Sequence, residues 1–183
     1  EIAYFMEHKD EYPGITIVEE SVRHYDKDTV AVQTVGFGKP FKSTEDIAMY
    51  KNIRSAMKDN SSPGLMYKTE EYVGFDGLEM QYQRELRGEN GYQVISVTPQ
   101  NMAEKVEQTV PPVKGNNIWM TINKNVQMKT EQAILDQIKW LHTNAVQGET
   151  HPDALTGYSV AMEVETGNIV AMASMPDYDS NVW

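Results

Sequence analysis

The stretch Tyr72-Val73-Gly74-Phe75-Asp76-Gly77-Leu78-Glu79-Met80-Gln81-Tyr82-Gln83-Arg84-Glu85-Leu86-Arg87-Gly88-Glu89-Asn90-Gly91 decides how this chain is read. It has a glycine-rich entry, a short helical middle and a glycine-rich exit. Gly74 and Gly77 permit backbone conformations or close approaches that a Cβ forbids. Leu78, Tyr82 and Leu86 recur every four residues, which places them on one face of a helix. Gly88 and Gly91 then stop that helix.

Working outward, the upstream chain begins with a short helix over residues 1–9 and a Pro13-Gly14 turn. Residues 14–23 alternate as a strand, and Thr29 to Phe37 is again β-rich. Residues 43–59 switch to helical period. Ser43 and Asp46 form a capping pattern, and Ile47, Tyr50, Arg54 and Met57 share a face, supplemented by Ile53. Asn60-Ser61-Ser62-Pro63-Gly64 ends that helix, and residues 39–71 read as an insertion between two β-rich parts.

Downstream, residues 92–98 form a strand, and the Pro- and Asn-rich run 99–117 marks a domain boundary, within which Val106 and Val110 can still pack. Residues 118–122 read as a short strand. Asn123 caps a helix over about 124–147, with an apolar stripe of Ile134, Ile138, Leu141 and Ala145 ended by Gly148. Residues 157–174 form a hairpin turning at Glu165-Thr166-Gly167-Asn168. Tyr158, Val160, Met162 and Val164 occupy one face of it, and Ala161, Ala171 and Ala173 are small enough for a helix to lie close.

Composition narrows the classes. With 183 residues, 40% hydrophobic and 23% charged, the chain can bury a real core. A net charge of −11 disfavours nucleic acid and anionic membrane surfaces as partners. There is no cysteine, which excludes thiol catalysis and disulfides. His8, His24, His142 and His151 show no metal-ligand spacing, and no cofactor-binding motif is present. No apolar run approaches the roughly 20 residues needed to cross a bilayer. The opening at Glu1, without an initiator Met, reads as a piece cut from something longer.

Residues 74–88 resemble the G-x-x-G-x-E-x-x-Y-x-x-x-L-x-G pattern in the pedestal, or dimerisation, region of class B penicillin-binding proteins. Gly74, Gly77, Glu79, Tyr82, Leu86 and Gly88 fall on it. Tyr12-Pro13-Gly14-Ile15 with Arg23-His24-Tyr25 resembles the family's Y-P-G…R-x-Y element, and Val35-Gly36-Phe37-Gly38 the L-G-Y-x-G after it. Met120-Thr121-Ile122-Asn123 with Gln127 resembles the L-T-I-D-x-x-L-Q that opens the transpeptidase domain. Residues 162–179 resemble the first hairpin and its A-M-A-S-x-P-D-Y-D-P-N exit. Asn123 stands for the usual Asp, and Ser180 for the usual Pro before Asn181.

The resemblance implies an α+β chain in two parts. Residues 1–115 are the pedestal, with the 39–71 insertion, and 116–183 are the opening strand, helix and hairpin of an incomplete transpeptidase domain. The parent it implies is a serine D,D-transpeptidase that cross-links peptidoglycan and binds penicillin. That parent is anchored at the outer face of the bacterial cytoplasmic membrane by a helix absent here. The partners it implies are the parent's own transpeptidase domain, wall-synthesis proteins and a homodimer. Arg23, Tyr25 and Glu79 are implied to be structural, with Arg23 and Glu79 paired.

The family's S-x-N and K-T-G elements are not found, and Lys68-Thr69-Glu70 lacks the glycine. One S-x-x-K occurs, at Ser55-Ala56-Met57-Lys58, but it lies upstream of residues 74–88 and late in its helix, away from the end that favours an anion. No catalytic residue is therefore assigned. Glu19-Glu20, Glu70-Glu71 and the Asp177/Asp179 pair read as solvated charge. Two other readings stand beside the main one: a free-standing extracellular interaction domain, and an acyl-enzyme using Ser55 and Lys58.

Overall fold

The computed structural model describes residues 2–8, 11–12, 23–26, 30–59, 62–97, 103–144 and 150–182. The strand expected over 14–23, the Pro13-Gly14 turn, Asn60-Ser61, Ala145 and Gly148 lie outside them, wholly or nearly so. The short helix expected at the start is there, as α1 (Ile2–Glu7).

The first part is organised on a two-stranded antiparallel ribbon. β1 (Gly38–Pro40) pairs with β2 (Tyr72–Gly74), Gly38 opposite Gly74 and Pro40 opposite Tyr72. Between these strands, residues 41–71 leave and return, carrying α3 (Ala48–Lys58). This excursion supplies the core: Phe41 and Tyr50 pack with Val73, surrounded by Ile47, Met49, Ile53, Met57 and Tyr67. Phe41 stacks on Tyr67 at 4.9 Å and meets Tyr50 edge-on at 5.9 Å. Tyr50 is fully buried, and its hydroxyl donates to Gly74 O, so the ring adds apolar burial without an orphaned polar atom. Arg54 lies 4.0 Å over the Phe41 ring and donates to Thr44 O at 3.1 Å.

Three local expectations change here. Residues expected as a strand from 29 to 37 instead form α2 (Val32–Val35), entered through Ala31 at φ 55 and left through Gly36 at φ 83. β-branched content favours a strand, but packing against the C-terminal part overrides it. α3 starts at Ala48 after a 3-10 turn at Phe41–Thr44. Its N-cap is Ile47, with no side-chain cap, so Ser43 and Asp46 do not form the expected box. Within the 72–91 stretch the helix is broken in two, α4 (Gly77–Gln81) and α5 (Gln83–Arg87), bent at Tyr82. The backbone path continues through the bend, with Tyr82 N–H donating to Leu78 O and Leu86 N–H to Tyr82 O, both at 2.9 Å. Tyr82 is 41% exposed, and the residue turned inward is Gln83.

The strand expected over 92–98 is β3 (Tyr92–Val97). The segment expected to be a linker contains its partner, β4 (Ala103–Val110). The ribbon is antiparallel, with register shifts after Val94 and Ser96. Val94, Ile95 and Val106 remain largely exposed, so a strand there buries little and leaves only a weak apolar pattern.

The second part is a helix on a hairpin. α6 (Lys124–Thr143) is capped by Asn123, whose side chain accepts from Asn125 and Val126 N–H at 3.0 and 3.3 Å. β5 (Gly157–Met162) pairs antiparallel with β6 (Ile169–Met175) through a turn with Gly167 at φ 75. Ala171, Ala173 and Met175 are buried beneath the helix, while Tyr158, Val160 and Met162 face outward, Tyr158 at 87% exposure. Residues 118–122 are not a strand. Thr121 Oγ1 donates to Ile169 O at 2.7 Å and Asn123 N–H to Val170 O at 2.9 Å, so this segment seals the β6 edge without extending it.

Candidate functional site

The 72–91 stretch builds a buried polar centre. Asp76 caps α4, its carboxylate accepting from Gly77 N–H at 2.8 Å, which places Glu79 in the first turn. Glu79 forms an ion pair with Arg23, and the two side chains are only 16% and 17% exposed. The bend at Tyr82 swings Gln83 into the same space. Its Oε1 accepts from Arg23 Nη2 at 2.9 Å and from Gly74 N–H at 2.8 Å. One side chain thus ties the arginine to the edge of β2. Desolvation holds the Arg23 guanidinium below its usual pKa, against the opposing pull of neighbouring Tyr25. Burial pushes the Tyr25 hydroxyl up.

Of the residues singled out in the sequence, Arg23, Glu79 and Gly74 converge on this centre, with Tyr25 and Gly77 beside it. Gln83 completes it and carried no signal beyond its place next to Tyr82. Leu78 and Leu86 are half-buried, and Tyr82 faces outward. Gly88 ends α5 at φ 72.

A second buried pair was not anticipated. Arg87 Nε and Nη2 bind the Glu71 carboxylate, the latter at 3.1 Å, and Nη2 also donates to Met66 O at 2.7 Å. The guanidinium lies 3.7 Å over the Tyr67 ring, and Asn90 Nδ2 donates to Glu71 Oε2 at 3.2 Å. Reading Glu70-Glu71 as solvated charge holds for Glu70, which is exposed, and fails for Glu71. Adjacent acidic residues look alike in sequence; the turn at 68–71 points them in different directions.

Glu71 sets a pH dependence. Burial alone would raise its pKa, but the hydrogen bonds and charge of Arg87 outweigh that and hold it below the ordinary value. A depressed folded pKa gives stability that is full above the unfolded value, about 4.3, and is lost as pH falls through the folded value. Glu71→Gln should therefore be less stable at neutral pH and lose less stability on acidification. Urea titrations at neutral and acidic pH check this; equal losses for the two chains would contradict it.

The two parts meet through residues 23–26 and 30–38. Asn181 clamps the Tyr25 backbone, Oδ1 accepting from its N–H and Nδ2 donating to its carbonyl, both at 3.1 Å. Ser180 Oγ donates to Gly36 O at 3.1 Å, a bond a proline there could not make. Ser55 and Lys58 sit exposed in the last four residues of α3. An apolar groove of about 570 Å³ runs between α6 and β5, bordered by Ile134, Ile138, Leu141 and Tyr158. Among the described residues, no helix is long and apolar enough to cross a membrane.

The family model described as the penicillin-binding protein dimerisation domain matches residues 1–120. Over 184 residues the chain is 26% identical to the peptidoglycan D,D-transpeptidase MrdA of Salmonella typhimurium (strain SL1344), covering 99% of this chain and 25% of that protein. Its fold is similar to penicillin-binding protein 2B from Streptococcus pneumoniae (strain 5204), with a TM-score of 0.56 and 20% identity over 99% of this chain and 27% of that one. It is also similar to a chain in the complex between penicillin-binding protein PBP2 and MreC from Helicobacter pylori, with a TM-score of 0.54, 18% identity, and coverage of 98% and 28%. The chain spans about a quarter of the length of the curated relatives it matches. Its α+β architecture and the match over residues 1–120 agree, and the chain belongs to the penicillin-binding protein family, residues 1–120 matching the dimerisation domain.

Proposed function

We propose that this chain is a non-catalytic supporting piece of a class B penicillin-binding protein. Residues 1 to about 115 are the pedestal, and 116–183 begin the transpeptidase domain. The whole protein is a serine D,D-transpeptidase acting on peptidoglycan at the outer face of the cytoplasmic membrane, with partners in wall synthesis. The pedestal's task is to hold the catalytic domain in place, and Arg23, Tyr25 and Glu79 serve that task structurally.

The observation that carries this reading is the dimerisation-domain match followed directly by a capped helix on a hairpin. Among the described residues β5 pairs on one edge only, with β6, and its outer face is apolar and exposed. Two strands are a poor core by themselves, so the hairpin reads as the start of a larger sheet. Both polar centres are consistent with support, because each carboxylate is taken up by a guanidinium and is not left free to move a proton.

Incubation with excess penicillin followed by intact-mass measurement tests the reading. The expected result is no adduct. A stoichiometric adduct mapping to Ser55 would overturn it and place a complete acyl-enzyme site within these residues.

A further inference from the structure

Residues 31–36 are gripped from both sides by elements far along the chain. Ala31 is buried at φ 55 and ψ 40, the one non-glycine residue with positive φ among those described. An L-residue is strained there and stays only where its surroundings over-determine it. What holds Ala31 lies on α6: Glu131 Oε1 accepts from Ala31 N–H at 2.8 Å. The same oxygen accepts from Gln127 Nε2 at 2.8 Å. Gln127 is fully buried, and its amide brackets Met172 in the middle of β6, donating to the carbonyl at 2.8 Å and accepting from the N–H at 2.7 Å. An unbroken relay therefore runs from strained backbone, through a carboxylate and a carboxamide, to the strand. Beyond Ala31, Gln33 Nε2 donates to Ser174 O at 2.7 Å and Tyr178 Oη to Val32 O at 3.2 Å.

We propose that Glu131 is a positioning residue that holds Ala31 in its left-handed conformation. Through Gln127 this joint locks residues 31–36 of the dimerisation domain to β6, so that displacing one displaces the other. It is a mechanical coupling built into the fold. Its use rests on the supporting role proposed above; its existence does not.

Amide hydrogen exchange on the 183-residue chain tests it. Thr34, Val35 and Gly36 N–H, bonded to Ala31 O and Val32 O, report on the joint, and Met172 N–H reports on its far end. Gly74 N–H, bonded to Gln83, is the control. Glu131→Ala should speed exchange about tenfold at the four reporters and leave Gly74 unchanged, because only the local opening becomes easier. Ala31→Gly adopts the left-handed conformation without strain, so in that background the effect of Glu131→Ala at the helical reporters should shrink to roughly threefold or less. Glu131→Gln keeps an acceptor oxygen and should give a smaller acceleration at the same four amides, which keeps the test readable if the alanine variant does not fold. Uniform acceleration that includes Gly74, no change at residues 34–36, or an equal effect in both backgrounds would each overturn the joint. A penicillin adduct would remove the non-catalytic reading and leave this exchange pattern standing.

Discussion

Glu79→Ala should destabilise the chain by about 3–5 kcal/mol, because it strands a guanidinium in a mostly desolvated space. Arg23 and Glu79 are each exposed by less than a fifth, and Arg23 already bears a desolvation penalty that lowers its pKa. Once the carboxylate is gone, the hydrogen bond from Arg23 to the neutral Gln83 acceptor remains, and it does not replace the lost charge. A loss of that size corresponds to a fall on the order of 10 °C in melting temperature for a chain of this length. The double variant Arg23→Met with Glu79→Leu should lose much less, since replacing both charges removes the desolvation cost along with the attraction. Thermal and urea melts of the three chains decide it. An unchanged melting temperature for Glu79→Ala would show that the pair carries no structural weight.

Gly74→Ala should be at least as damaging, at roughly 3 kcal/mol or more, from an overpacking clash that cannot relax. A Cβ on Gly74 would lie 2.0 Å from Glu79 O, 2.1 Å from Glu79 C and 2.5 Å from Met80 N. These are backbone atoms of α4, so no side chain can rotate away. To make room, α4 must shift and carry Glu79 off Arg23. The same shift disturbs the bonds that Gly74 makes to Gln83 and Tyr50. Gly167→Ala is the useful contrast. Gly167 has positive φ, 75°, but a Cβ there meets nothing within 4 Å. It should lose only the conformational term, about 1 kcal/mol. Melting curves of both variants separate close approach from backbone conformation; equal losses would mean that the contact between β2 and α4 is not tight.

Much of the fold was legible where local chemistry and final structure agree. Asn123 is a capping residue by type and caps α6 in fact, because the four free N–H groups at a helix start need an acceptor whatever surrounds them. The hairpin at 157–174 was legible because Gly167 sits where the turn needs positive φ and small residues line one face. Legibility failed where a distant element decided. Residues 32–35 look like strand and form a helix because Glu131, Ser174, Tyr178 and Ser180 grip residues 31–36 from a hundred or more residues away. β4 was missed for the opposite reason: its face buries too little to leave an apolar pattern.

The candidate centre divides in the same way. The residues on the 74–88 pattern pointed to the family, and the spacing of its glycines marked where backbones come close. That Tyr82 turns out and Gln83 turns in, and that Glu71 is paired while Glu70 is not, depended on the bend in one helix and the direction of one turn. Sequence alone determined the elements whose stabilising partners lie within a few residues, since caps, turns and periodicity act at that range. Only the tertiary structure decided which polar side chains are buried together, because the cost of burying a charge is set by what the rest of the chain brings against it.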